Sequence, residues 1–253
     1  MPKAKPRTRT GAPRPAQPNE GLMGGLECLQ ALAGASGPVG SREMARALDM
    51  EHTRVNRLMG TLAALGLAEK TPERKYAAGP ALHVLAAMSL RGSRLLSAAL
   101  PHLEALRAEL AGLTVALGVL WRRQVVYLYF APPGEDSMVA IAHRNLYPAE
   151  KSSIGRVLLA AQARSDVRKL YAGTPAAELG ELLAGLDAAA RDGWALYGGQ
   201  TLGVAVGTPA VAGLAVAGKL DERDSDDLLR RLRETAGRIA QDLRQPLATD
   251  EHR

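Results

Sequence analysis

The stretch SREMARALDMEHTRVNRLMGTLAALGLAEKTPERKYAAGPAL, from Ser41 to Leu82, restricts the fold more than any other part of the chain. Within it Val55, Leu58, Met59, Leu62 and Leu65 recur at helical spacing on one stripe, while Thr53, Arg54, Asn56 and Arg57 crowd the first two turns off that stripe. The helix they predict closes near Leu65-Gly66, where glycine can take the left-handed cap conformation. Ahead of it a shorter helix is expected from about Ser41, read as its N-cap, to Leu48, with Met44, Ala45 and Leu48 inward. Asp49 and Met50 turn the chain between the two. Downstream, Leu67 to Lys70 and Lys75 to Ala78 flank Thr71-Pro72-Glu73-Arg74, a loop of hairpin length. Upstream, Leu22, Leu26, Leu29, Leu32 and Ala33 predict a first helix that stops at Gly34 and the GASGP loop. Three short helices and a hairpin make a winged helix-turn-helix.

Such a unit explains the polar entrance of its third helix. A helix lying in a DNA major groove offers its first turns to base edges and its opposite face to its own domain. Its N-terminal amides favour phosphate as well. The candidate contacts to double-stranded DNA are Ser41, Arg42, His52, Thr53, Arg54, Asn56 and Arg57 on the two helices, with Arg74 and Lys75 on the wing. Glu51 is an awkward neighbour for phosphate; it caps the helix or reads a cytosine amine. A solvated helix face is the competing reading for any single residue, so the weight rests on the ordered set of helix, helix and hairpin.

Charge placement agrees with this. Met1 to Gly92 hold 13 basic against 7 acidic side chains, an excess of six, whereas Ser93 to Arg253 hold 19 of each. A basic part joined to a neutral one suggests that the first meets a polyanion. Five of the cations (Lys3, Lys5, Arg7, Arg9 and Arg14) sit in a Pro-rich start without apolar period, so charge alone would not identify the partner.

With 253 residues and 47% hydrophobic content the chain can bury two cores. The expected division is a disordered basic tail at 1–20, a winged helix-turn-helix at 21–79, a linker helix at 80–92, an effector-binding and oligomerisation domain at 93–245, and a tail at 246–253. No apolar run is long enough for a membrane span, and the start lacks a signal peptide's apolar stretch, so a cytoplasmic location without membrane contact is expected. The single cysteine, Cys28, lies among leucines, which excludes disulfides and thiolate clusters and predicts a buried, reduced thiol.

The second domain is expected to be α+β around a mostly antiparallel sheet. Leu95, Leu96, Leu103, Leu106 and Leu110 open it with a helix. Thr114 to Trp121 and Gln124 to Ala131 form a hairpin about Arg122-Arg123, and Met138 to His143 a third strand. Helices follow at Ser153 to Ala163, Ser165 to Tyr171 and Ala177 to Asp192, the last closed by Gly193. LGVAVGTPAVAGLAVAGKL reads as two small-residue strands about Pro209, before a final amphipathic helix from about Asp224 to Leu243. No metal-ligand spacing joins the histidines, and the phosphate-loop and nucleophile-elbow signatures are absent, so no cofactor, metal or catalytic residue is assigned. Two alternatives stay open: an enzyme with an appended winged helix, and a DNA-binding protein whose second domain only oligomerises.

The Ser41–Leu82 stretch also resembles the IclR-type bacterial transcription regulators. Arg57-Leu58-Met59, Thr61-Leu62 and Leu65-Gly66 look like that family's recognition helix, and Tyr76-Ala77-Ala78-Gly79 like the end of its wing. LYPAEKSSIGRVLLAA resembles the entry to its effector domain. Met50-Glu51 in place of the usual Leu-Pro, and a wing loop without glycine, depart from the pattern. The resemblance implies a GAF-like sensing domain, a homodimer or dimer of dimers, and a small-molecule effector held between the helix after the proline motif and later strands. The amides at Ser152, Ser153, Ile154 and Gly155 suit an anion. The strands offer Val206, Ala215 and Ala217, with Trp121, Tyr127, Tyr129 and Met138 as further lining, so a largely apolar or aromatic ligand with at most one anionic group is expected. Alternatively, the small strand residues only let a helix pack closely.

Overall fold

The computed structural model describes residues 17, 19–135, 146–220 and 225–245. The 1–20 tail apart from residues 17, 19 and 20, the strand expected at Met138 to His143, and the 246–253 tail lie outside them. The described chain forms two compact units that divide between Ser93 and Arg94.

In the first unit, helix α1 (Glu20–Ala33) begins at Asn19, whose side chain accepts from the amide of Leu22. Helix α2 (Ser41–Ala47) and helix α3 (His52–Ala64) follow, then β1 (Ala68–Lys70) and β2 (Tyr76–Ala78) as an antiparallel pair. Cys28, Leu32, Met44, Val55, Met59 and Tyr76 close the core between them. Gly24 lets α1 approach α3, since a Cβ there would stand 3.1 Å from both Leu58 and the Arg54 guanidinium. Burial raises the Cys28 thiol pKa and keeps it protonated.

The helix and hairpin pattern appears as expected, with local corrections. Gly40, not Ser41, is the N-cap of α2; Ser41 is the first helical residue. Asp49, at φ 50°, makes the tight turn into α3. Arg74, at φ 60°, takes the left-handed position in the wing where a glycine would be unstrained. Gly66, at φ 70°, closes α3. Val39 adds a bridge to Tyr76 that the sequence reading lacked, with backbone bonds of 2.8 and 2.9 Å. Helix α4 (Pro80–Arg91) buries none of its residues.

The second unit is a six-stranded antiparallel sheet with helices on both faces. Its strands are β3 (Thr114–Trp121), β4 (Gln124–Ala131), β5 (Tyr147–Pro148), β6 (Trp194–Tyr197), β7 (Thr201–Val206) and β8 (Ala212–Ala217), in the spatial order β5-β4-β3-β8-β7-β6. Helices α5 (Arg94–Glu109) and α9 (Ser225–Asp242) cover one face through Leu103, Leu106, Leu232 and Ile239. Helices α6 (Ser153–Ala160), α7 (Arg164–Leu170) and α8 (Ala176–Asp192) cover the other through Ile154, Leu159, Val167 and Leu186. Gly193, at φ 73°, ends α8. Strands β5 and β6 are additions to the sequence reading, and both lie at sheet edges.

Three glycines on neighbouring strands set the height of α6 over the sheet. A Cβ on Gly203 would stand 2.9 Å from the Ser153 hydroxyl, on Gly213 2.8 Å from Ile154, and on Gly118 3.4 Å from Ile154. Gly155 does the same from the helix side, where a Cβ would fall 2.1 Å from the Ala149 carbonyl oxygen in the 3-10 turn Ala149–Lys151. The small residues of β7 and β8 therefore do bring a helix close, and the site described next is built around that contact.

Candidate functional site

Two groups of sequence-derived candidates can be followed. On the first unit, α3 carries its buried residues Val55, Met59 and Leu62 on one side, leaving His52, Thr53, Asn56 and Arg57 exposed on the other. Arg42 on α2 and both Arg74 and Lys75 on the wing are exposed too. Ser41 Oγ and His52 Nε2 lie 3.0 Å apart and tie the start of α2 to the start of α3. The Thr53 hydroxyl donates to Glu51, the N-cap residue of α3, so the acid's carboxylate is engaged within its own turn.

Arg54 departs from the expected set. Its Nη2 donates to the Glu20 carbonyl at 2.7 Å and lies 3.7 Å from the Glu20 carboxylate. It therefore braces α1 against α3. Position explains the difference, because residues 54 and 58 share a face of the helix, and Leu58 already meets α1.

On the second unit, a cavity of about 380 Å³ opens beside the start of α6. Six of the eleven expected effector residues line it: Tyr127, Ser152, Ser153, Ile154, Ala215 and Ala217. At one end Ser152 caps α6, its Oγ accepting from the Gly155 amide at 3.3 Å. The amides of Ser153 and Ile154 belong to the first helical turn, which no helical carbonyl satisfies. Lys151 stands beside them. Aromatic walls come from Tyr127 and Phe130, edge to face at 5.3 Å, and from Tyr147 and Tyr197.

Trp121, Tyr129 and Val206 lie away from this cavity. Trp121 sits at the end of β3 with the Arg122 guanidinium 5.2 Å over its ring. Tyr129 is turned to the opposite face of the sheet, where its hydroxyl donates to Glu104 at 2.8 Å. Strand alternation would give Tyr127 and Tyr129 the same side, but the register shifts between Leu117 and Gly118, so that Leu117 faces Tyr129 and Gly118 faces Tyr127. That bulge exchanges the faces and brings Phe130 to Tyr127. Val206 also points to the α5–α9 layer, as alternation from Leu202 and Val204 requires. Gly155 serves close packing and does not line the cavity. Met138 lies outside the described residues.

The lining residues missed include Thr114, Phe130, Tyr147, Lys151, Tyr197, Gln200 and Thr201. Most of these come from edge strands and turns. A signal was present for one group: Trp194-Ala195-Leu196-Tyr197 followed by Gly198-Gly199 is an apolar run ending in a hairpin turn, with both glycines at positive φ. Behind Tyr197, the Arg156 guanidinium lies 4.8 Å from its ring, and its Nε donates to the Glu150 carbonyl at 3.0 Å. Tyr171 donates to the Glu150 carboxylate at 2.7 Å, and burial with that carboxylate pushes the phenol well above its ordinary pKa.

Comparison with known proteins agrees at both units. Residues 22–72 match the IclR helix-turn-helix domain, and residues 87–241 match the bacterial transcriptional regulator IclR C-terminal domain. The chain belongs to the IclR family. It is 31% identical over 146 residues to the HTH-type transcriptional regulator BhcR of Paracoccus denitrificans (strain Pd 1222), a match over 57% of this chain and 52% of that protein. The chain thus aligns with about half the length of this curated relative. In fold it is similar to an IclR family transcriptional regulator from Brucella abortus, with a TM-score of 0.75 at 24% identity, over 89% of this chain and 93% of that one. It is also similar to an IclR homolog from Microbacterium hydrocarbonoxydans complexed with 4-hydroxybenzoate, with a TM-score of 0.62 at 22% identity, over 89% and 99% of the two chains. As an IclR-family transcriptional regulator, the protein carries a DNA-binding helix-turn-helix domain and a C-terminal effector domain. Among the described residues no helix is long and apolar enough to cross a membrane, and no cluster of His, Cys, Asp and Glu suits a metal.

Proposed function

We propose that this regulator reads its operator with Arg57 and Asn56 on α3, seconded by Arg42 and His52, and steadies itself on phosphates with Arg74 and Lys75. We infer further that its effector domain senses a largely apolar or aromatic molecule with one anionic group. The observation that carries this reading is the 380 Å³ cavity, whose aromatic side walls lead to unsatisfied helix amides beside Lys151. A ring lies between such walls, and one carboxylate uses the amide end. The 4-hydroxybenzoate bound by the Microbacterium homolog belongs to this chemical class. Two regulators are proposed to act together as a homodimer in the cytoplasm: Leu22, Leu26, Val84, Leu85 and Met88 leave apolar surface exposed on α1 and α4, as a partner copy would require.

Titration calorimetry on the full chain with 4-hydroxybenzoate and with pyruvate tests the effector class. The expected outcome is saturable binding of the aromatic acid, lost in Ala215→Trp without unfolding, and little heat with pyruvate. Tight pyruvate binding and none of the aromatic acid would refute it.

A further inference from the structure

The effector unit holds a further cavity besides the one at α6. It is a trough of about 480 Å³ on the other face of the sheet, between α9 and the β7–β8 hairpin. Val204, Gly207, Thr208, Pro209 and Val211 supply its sheet wall, and Ala236, Gly237 and Ala240 its helix wall. Ala236 and Ala240 stand at the margin of the α9 face that packs into the core through Leu228, Leu232 and Ile239, and Gly237 lies exposed beside them. A Cβ built on Gly237 meets nothing within 4 Å, and Val211 is 50% exposed. The trough is therefore open space over an apolar floor.

Its charge is what gives it a ligand. Of the five arginines on and just after α9, Arg230 pairs with Asp227 and Glu234, Arg231 with Asp227 and Glu109, and Arg238 with Glu234. The other two, Arg233 and Arg244, are the ones that line the trough, and among the described residues neither meets a carboxylate. Arg233 donates to the Asp192 carbonyl at 2.8 Å, which steadies the guanidinium and leaves it further donors. Among the described residues no acidic side chain lines the trough. Arg233 lies on α9 and Arg244 in the turn that follows it, with Gly237 and Ala240 between them along the chain, and all four line the trough. An apolar channel with an uncompensated guanidinium towards each end complements an extended molecule that is apolar in the middle and anionic at both ends.

We propose that this trough is a second small-molecule site, distinct from the effector cavity, and that it takes an unbranched aliphatic α,ω-dicarboxylate. The chain of the ligand lies over Gly237 and Ala240, and each carboxylate accepts from one arginine. This inference does not depend on which molecule fills the cavity beside α6, because the two lie on opposite faces of the sheet.

Decanedioate titrated calorimetrically into the full chain tests it. Saturable binding is expected, weakened about tenfold in Arg244→Gln by loss of one charge-assisted pair and abolished in Gly237→Leu. Leucine at this exposed helical position occupies the trough without meeting a neighbour, and thermal unfolding of both variants should match the parent. Ala215→Trp, which fills the other cavity, should leave decanedioate binding unchanged. Decanoate, with one anionic end, should bind about tenfold more weakly than the diacid. The proposal is overturned if decanedioate gives no saturable heat, if Ala215→Trp abolishes its binding, or if decanoate binds equally well. It is also overturned if Gly237→Leu alters the sedimentation mass while binding persists, which would make this face an interface between copies.

Discussion

The DNA-reading unit and the effector unit place their candidate residues in opposite ways. In the first, α3 alone sets the exposed row of His52, Thr53, Asn56 and Arg57 against the buried row of Val55, Met59 and Leu62. A helical period decides both rows at once. In the second, the cavity draws on β3, β4, β5, β7, β8, the β6–β7 turn and the start of α6. Its shape depends on how closely a helix docks and on a single bulge, neither of which is a local property. One site should therefore tolerate change in backbone packing far better than the other.

The strongest test of that contrast is Gly155→Ala. The added methyl would meet the Ala149 carbonyl oxygen at 2.1 Å, so α6 must lift from the 3-10 turn. A loss of about 3 kcal/mol is expected from such overpacking against backbone, measured as a lower urea midpoint for the effector unit and loss of effector binding. Unchanged stability would mean that α6 is free to shift, and that its position does not define the cavity.

A smaller effect separates two arginines three residues apart. Arg57→Ala should weaken operator binding by about 1 to 3 kcal/mol, with thermal stability unchanged. Arg54→Ala should do the reverse, lowering stability by about 1 kcal/mol through loss of the bond to the Glu20 carbonyl, while altering operator preference little. Gel-shift titrations alongside thermal melts distinguish them, and a reversed pattern would show that α3 is turned differently against DNA.

The smallest expected effect lies on the sheet face that Tyr129 joined. Burial, with the Glu104 carboxylate beside the hydroxyl, pushes its pKa up to about 12. The folded state therefore holds the phenol proton after the unfolded chain has released it. Stability should be full below about pH 10 and decline between there and pH 12. In Tyr129→Phe that part of the decline should disappear, as read from urea midpoints at successive pH values. An unaltered alkaline slope would place the hydroxyl in contact with solvent.

The sequence determined the winged helix-turn-helix, the succession of the described strands and helices apart from β5 and β6, and the start of α6 near Ser153, because each follows from neighbours within a few residues. Helical period sorted α3, the αL glycines ended α3 and α8, and β-rich runs about Arg122-Arg123 marked β3 and β4. Even in the strands, alternation held only up to the register shift at Leu117 and Gly118, past which Tyr129 and Phe130 exchanged the sides their spacing from Tyr127 foretold. Tertiary structure alone decided that Arg54 braces α1, since its partner lies 34 residues away. It decided as well that Lys151, Tyr197 and Gln200 meet Ala215 and Ala217, because they come from segments paired across the whole width of the domain. The two uncompensated arginines of α9 became distinct in the same way. Along the sequence they are two of five similar charges, and only the folded helix shows which three face carboxylates and which two face the trough. Periodicity reports which side of an element is apolar; it carries no record of what the other elements bring to that side.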